Sequence, residues 1–406
     1  VGESGKGWAV RFNRNELGGA FGDIGTDLPL ILALIAINGL DATSAFVMFG
    51  VFQILSALRY GLPMPVQPLK AMAAIMIATA ARPELLFGGG LVIGATIGIL
   101  GLTGAITRIH SLLPAGVVRG IQLGLGLTLM LVALGFILGD PAAPLADRIP
   151  GMIVASVGIL VVLFLGRSSR FPPALLLIVG GIGLAAFSID FGALAAGVGL
   201  RLPVLYLPSF LADVVPGARV LSLGDIAEGG LVLALPQIPL SIANSIIATA
   251  FLVRDYFPRR TEITPRRISL TYAAMNLAGP FFGAVPACHG SGGLAGHHRF
   301  GARTGGSVII YGAIFLVLGL FFGGVIFEAI KVFPFPILGA LLLFEGFALT
   351  RLITKVKDSR PDLLVALLVG VLVIGFRVTG LPLGFVVGIL GGTAIFYLLV
   401  RKRIFL

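Results

Sequence analysis

Three short segments of this 406-residue chain place polar or charged side chains inside otherwise apolar sequence. The first, GAFGDIGTDLPL, holds Asp23 and Asp27. Four residues apart, they share one helical face, where a carboxylate could carry a proton or balance a nearby cation. The second, PMPVQPLKAMA, holds Gln67 and Lys70 behind Pro63, Pro65 and Pro68. The third, residues 283–305, reads GAVPACHGSGGLAGHHRFGARTG and contains three of the four histidines and the single cysteine, Cys288. Catalysis needs a nucleophile paired with a base, and no such pair is legible. A zinc site needs a spaced ligand cluster, and none is present. His297 and His298 are adjacent, point in different directions and sit beside Arg299 and Arg303, which suits solvation at a membrane surface. No metal and no cofactor are expected.

Composition says what must hold these segments. Hydrophobic residues make up 57% of the chain and charged ones 12%, about half the charged share of a soluble domain. Apolar runs near the ~20 residues that cross a bilayer recur from end to end. We therefore expect an all-α polytopic membrane protein with spans near residues 19–37, 43–58, 66–81, 88–107, 117–138, 151–165 and 173–189. A second set follows near 229–252, 268–283, 291–302, 307–327, 336–350, 363–376 and 381–400, which makes fourteen. The segment before residue 19 lacks the apolar core of a signal peptide.

The net charge of +11 does not imply nucleic acid, because the basic residues fall on one side of this layout. With the N-terminus inside, the inner loops receive Lys6, Arg59, Arg108, Arg167, Arg170, Arg254, Arg259, Arg260, Arg266, Arg267, Arg351, Lys355, Lys357, Lys402 and Arg403, among others. The outer side keeps Arg82, Arg148, Arg201, Arg219, Lys331 and Arg377, among acids such as Asp140 and Asp190. This is the positive-inside pattern, and it puts both termini in the cytoplasm.

The two halves echo each other. DLPLILALI lies opposite QIPLSIANS, and YGLPMPVQPLKAMA opposite FGAVPACHGSGGLA. Seven spans per half is odd, so the copies must be inverted, a recurrent plan of secondary transporters. The expected organisation is a cytoplasmic segment 1–18, a first repeat 19–190, an outer amphipathic linker 191–228, a second repeat 229–400 and a tail 401–406. Prolines forbid helix before Leu69, and glycines loosen residues 290–293, so spans three and ten should be half-helices meeting near the midplane. Two facing helix N-termini offer free N–H donors and two positive dipole ends, which together make an anion site.

Around that site we expect Gln67, Lys70, Gln237, His289, Gly290, Ser291 and Gly292 to bind substrate, while Asn244 serves as helix–helix glue. The structural alternative for Lys70 is an ion pair with Asp23 or Asp27. Moving a dianion into a negative interior costs about 4.6 kcal/mol per 100 mV, so uptake calls for cotransported cations. Asp23, Asp27 and Glu345 are the candidate proton carriers.

The three segments quoted above resemble signatures of the molybdate transporter family within the sulfate-permease superfamily, and the likeness spans both halves. It implies a seven-plus-seven inverted repeat shared with uracil permease. A core domain (19–107 plus 229–327) would move against a gate domain (114–190 plus 336–400). By the same resemblance Asp23 and Thr26, Gln67 and Lys70, and residues 289–293 with Arg299 carry the family motifs. Asp27 departs from the pattern, which is aromatic or apolar there. No regulatory domain follows the membrane part, as in the molybdate branch. The expected function is secondary, proton-coupled transport of molybdate or sulfate by alternating access. A passive anion channel and a nucleobase permease are the alternatives. The partners are then the anion, protons and the bilayer, with a homodimer among the assemblies allowed.

Overall fold

The computed structural model describes residues 10–140, 143–165, 173–187, 191–380 and 383–401. The assignments above for Lys6, Arg167, Arg170, Asp190, Lys402 and Arg403 lie outside them. Among the described residues eight helices are long and apolar enough to cross a membrane, or nine if the bent pair Arg14–Ala20 and Ile24–Asn38 is one span. The other five expected spans hold the shorter helices Lys70–Thr79, Pro173–Ala185, Pro265–Ala278, Ser291–Arg299 and Gly384–Arg401.

The local reasons are readable. Asn13 caps the first helix by accepting from the N–H groups of Asn15 and Glu16, a preferred N-cap role for asparagine. Glu16, inside the expected cytoplasmic segment 1–18, is buried. Its carboxylate accepts from the N–H groups of Arg303, Thr304 and Ser307, closing the start of the Gly306–Val332 helix. Pro236 and Pro239 lie inside the eighth expected span, where prolines disfavour helix. The helix instead runs on from Leu223 to Tyr256, with π-helical stretches at Gly230–Ala234 and Ser241–Ile247. Wider turns take up the ladder bonds that prolines remove.

The helices pack in two groups. In one, Ala42–Tyr60 lies along Gly306–Val332, and Pro83–Thr103 lies along Pro265–Ala278. Gly50 faces the Gly312 carbonyl across the first of these pairs, and Gly319 faces Val47, so that side chains cannot hold the backbones apart. Small residues at helix contacts are the usual substitute for hydrophobic driving force in lipid. Phe46, Phe49, Tyr311 and Phe315 fill the space beside that seam, with the Phe49 and Phe315 rings edge-on at 4.8 Å. In the other group Ala115–Leu138 packs on Phe335–Thr350 and Arg360–Val378, which in turn contacts Gly384–Arg401.

Two extended segments run through the first group. Gln67–Pro68 pairs antiparallel with Ala287–Cys288, in the register Gln67 with Cys288 and Pro68 with Ala287. The outer edges of this two-residue sheet are closed by buried amides. Gln53 donates to the Val66 carbonyl at 2.7 Å and accepts from the Val66 N–H at 2.8 Å. Asn276 donates to the Ala287 carbonyl at 2.6 Å and accepts from its N–H at 2.9 Å. Both amide side chains are fully buried. They satisfy backbone groups that neither helix nor water reaches, and that would each cost ~1–3 kcal/mol unpaired.

Candidate anion site

Each extended segment runs straight into a short helix, Lys70–Thr79 or Ser291–Arg299, whose N-cap residue, Leu69 or Gly290, makes no side-chain cap. Both helices therefore begin beside the same strand pair without a cap from their own N-cap side chains, as the proline and glycine patterns predict.

A cavity of about 480 Å³ opens against these helix starts. Gln67, Lys70, Gln237, Gly290, Ser291 and Gly292, six of the expected substrate-binding residues, line it. The carboxamide of Gln67 donates to both oxygens of Asp23, at 2.8 and 2.6 Å, so Asp23 sits behind Gln67 and fixes its orientation. Lys70 pairs with Glu345 at 3.2 Å, and Glu345 also accepts from the Thr26 hydroxyl at 2.8 Å. Lys70's ion pair, whose alternative partners were Asp23 or Asp27, is instead with Glu345 and bridges the two packing groups.

Three expected contributors differ from expectation in detail. Gln237 lines the cavity, yet its Oε1 accepts from the Ala71 N–H at 2.9 Å and its Nε2 donates to Ser241. It closes one of the free donors at the Lys70 helix start. His289 is fully buried and not part of the cavity wall; its Nε2 meets Thr271 at 2.9 Å and its ring stands edge-on to Tyr60. Thr26 is likewise absent from the cavity wall, engaged by Glu345. Asp27 is fully buried, with Oδ2 accepting from Tyr311 at 3.3 Å and Oδ1 without a partner. Of the paired histidines, His298 stacks on Tyr256 and His297 meets Ser307, so His297 is buried rather than solvated.

The cavity wall also includes residues that sequence reasoning assigned elsewhere or passed over. Asn244, expected to glue helices, faces the cavity, and so do His110, Arg119, Gln122 and Lys355. Arg119 had a legible signal, since it is an arginine just inside an apolar stretch. Gln122 and Asn244 had none beyond being amides. Among the described residues the three lining residues with fixed charge, Lys70, Arg119 and Lys355, are all basic, and no carboxylate lines the cavity.

A family model described as "Molybdate transporter of MFS superfamily" matches residues 15–129 and 229–349. These two stretches contain every lining residue of the cavity except Lys355 and Leu352. "Molybdate transporter 2" of Arabidopsis thaliana is 33% identical, over 96% of this chain and 88% of that protein. The chain belongs to the molybdate transporter family. Further members similar to it are "Molybdate transporter 1" of Arabidopsis thaliana, 32% identical over 92% of this chain and 86% of the relative, and "Molybdate transporter 1" of Chlamydomonas reinhardtii, 30% identical over 96% and 92%. The fold of this family member is that of solved transporters with distant sequences. One is the transmembrane domain of the cyanobacterial bicarbonate transporter BicA, with a TM-score of 0.63 at 20% identity, over 90% of this chain and 96% of that one. Another is murine Slc26a9, an anion transporter in the inward-facing state, with a TM-score of 0.66 at 14% identity, over 97% and 69%. The chain is accordingly an integral, multi-pass membrane protein of a transporter family and not an enzyme.

Proposed function

We propose that this protein is a secondary active transporter of a tetrahedral oxyanion, working by alternating access and coupled to protons. The observation that carries the reading is the cavity at two helix starts with free N–H donors left in their first turns, with Lys70 at the first and only basic fixed charges among its described lining residues. Free N–H donors, two dipole ends and an ammonium suit an oxyanion and repel a cation. The names of the Arabidopsis and Chlamydomonas relatives favour molybdate; sulfate, of the same shape and charge, is the natural competitor.

In this reading the two packing groups are the core (19–107 plus 229–327) and the gate (114–190 plus 336–400) of a fourteen-span inverted repeat. The matched amides support the repeat. Gln53 and Asn276 occupy corresponding places beside the two extended segments and make the same pair of bonds. The exposed His110 and Lys355 at the cavity wall support an opening toward the basic, cytoplasmic side, where both termini lie.

Glu345 is the proton carrier in this scheme. Ionised, it holds Lys70 across the core–gate boundary; protonated, it releases Lys70 to the anion. One proton thus makes the site cationic as the dianion enters, and it offsets part of the ~2.3 kcal/mol that each charge costs per 100 mV. Asp23 orients Gln67, and Asp27 is a second protonation site beside Tyr311.

The test is uptake of labelled molybdate and of sulfate into proteoliposomes, with and without an inward proton gradient. Wild type is compared with Ser291→Trp, whose indole should fill the anion position. Uptake driven above equilibrium by protons and lost in the variant is the expected result. Flux that only equilibrates would make the protein a channel, and absence of flux for both anions would overturn the substrate.

A further inference from the structure

Arg119 lies near the start of the Ala115–Leu138 helix, on the wall of the same cavity, half-buried among apolar residues. Its Nη1 donates to Oε1 of Gln122 at 2.8 Å, and Gln122 is 1% exposed. Among the described residues no carboxylate comes within ion-pair distance of Arg119. A half-buried guanidinium without a counter-ion is costly, and on the wall of a polar cavity it suits an anionic ligand. Only one of its several donors is spent on Gln122, which fixes the plane of the fork. The remaining donors suit two oxygens of one anion at once.

Three further observations bear on this wall. Asn244, from the Leu223–Tyr256 helix, lines the cavity, and among the described residues its carboxamide has no hydrogen-bond partner. His110 and Lys355, both exposed, line the same cavity. The volume of about 480 Å³ would hold more than a dozen waters at ~30 Å³ each, far more than one oxyanion needs. Arg119 also shares no hydrogen-bonding partner with Lys70, which is held by Glu345.

We propose that Arg119, oriented by Gln122, forms a second oxyanion site in the gate-side wall, distinct from the position between the two helix starts. Resting on the transporter reading above, this site takes the anion on its way between Lys70 and the cytoplasm. It gives the departing dianion a cation to move to, so that release does not expose it to apolar wall. His110 and Lys355 extend the same positive field outward.

The experiment is equilibrium binding of molybdate to the purified full chain in nanodiscs, combined with transport from each side. Wild type should bind two equivalents. Arg119→Gln should bind one, and should raise the half-saturation for transport from the cytoplasmic side about tenfold, as losing a charge-assisted hydrogen bond would. Half-saturation from the outside should stay within about twofold. Gln122→Glu keeps the arginine but places a carboxylate on it, and should reproduce the loss. Molybdate-soaked wild-type crystals, read by the anomalous scattering of molybdenum, need no variant and should show a peak at Arg119 in addition to the one at Lys70. A single equivalent in wild type with no peak at Arg119, or unchanged cytoplasmic half-saturation in both variants, would overturn the second site. Failure of wild type to bind or move molybdate at all would instead overturn the transporter reading.

Discussion

The two extended segments at the heart of the molecule reach one geometry by opposite chemistry. Residues 63–70 are stiffened by prolines and carry side chains to the site, Gln67 and Lys70. Residues 283–293 are rich in glycine and bring mostly bare backbone to the same cavity. The difference is forced by packing. A methyl group on Gly290 would run into the Gln67 carboxamide, and one on Gly293 would run into Asp23 and Pro65. One arm can carry Gln67 because the other has no Cβ at Gly290. The two arms thus reach one backbone geometry while dividing the work, one supplying charge and orientation, the other room and N–H donors.

That division can be broken most severely at Gly290. Gly290→Ala should lower molybdate uptake to below a tenth of wild type, since overpacking of ~1–3 kcal/mol falls directly on Gln67. Initial rates at matched protein levels measure it. Adding Gln67→Ala removes the obstructing carboxamide and should recover expression and thermal stability while transport stays low. Independent, additive effects of the two changes would show that the glycine is not there to make space for Gln67.

The comparison predicts equality one layer further out, where the buttressing amides stand. Gln53→Leu and Asn276→Leu each leave one backbone N–H and one carbonyl unpaired in the interior. Each should cost about 2–6 kcal/mol of stability at ~1–3 kcal/mol per buried group. Thermal unfolding in detergent would show it, and losses differing by more than about twofold would mean that the two arms are not equivalently supported.

The smallest effect on anion exchange should come from the charge that faces Lys70. Under the proposed coupling, protonation of Glu345 frees Lys70 from its ion pair, so wild-type uptake should rise as external pH falls. Glu345→Gln is permanently uncharged and should lose that dependence. Molybdate exchange should stay within about threefold of wild type, less than 1 kcal/mol on the barrier. A retained pH response would move the proton to Asp23 or Asp27.

Much of this arrangement is legible in the sequence because its causes are local. Pro63, Pro65 and Pro68 exclude helix by covalent geometry, and GSGG loosens it by entropy, so the two breaks and the starts at Lys70 and Ser291 follow without tertiary information. What is not local is not legible. Nothing near Glu345 says that it meets Lys70 rather than leaving that cation to Asp23, because the partners are 275 residues apart. Gln53 and Asn276 look like ordinary span amides until the strands they close are in view. Pro236 and Pro239 look like helix breakers, and only the π turns around them show how the helix continues. Gln237 was expected to face the anion, but its proximity to Ala71 makes it a cap as well.

The central claim is that the anion lies between the two helix starts with Lys70 as its countercharge. Equilibrium binding of molybdate to wild type and to Lys70→Gln, read in nanodiscs at one ionic strength, tests it most directly. The account predicts affinity weaker by about 10- to 100-fold at the tighter site, the worth of a charge-assisted hydrogen bond of ~1.5–3 kcal/mol. The fold, read by thermal unfolding, should remain intact. Unchanged affinity in a folded Lys70→Gln protein would contradict it.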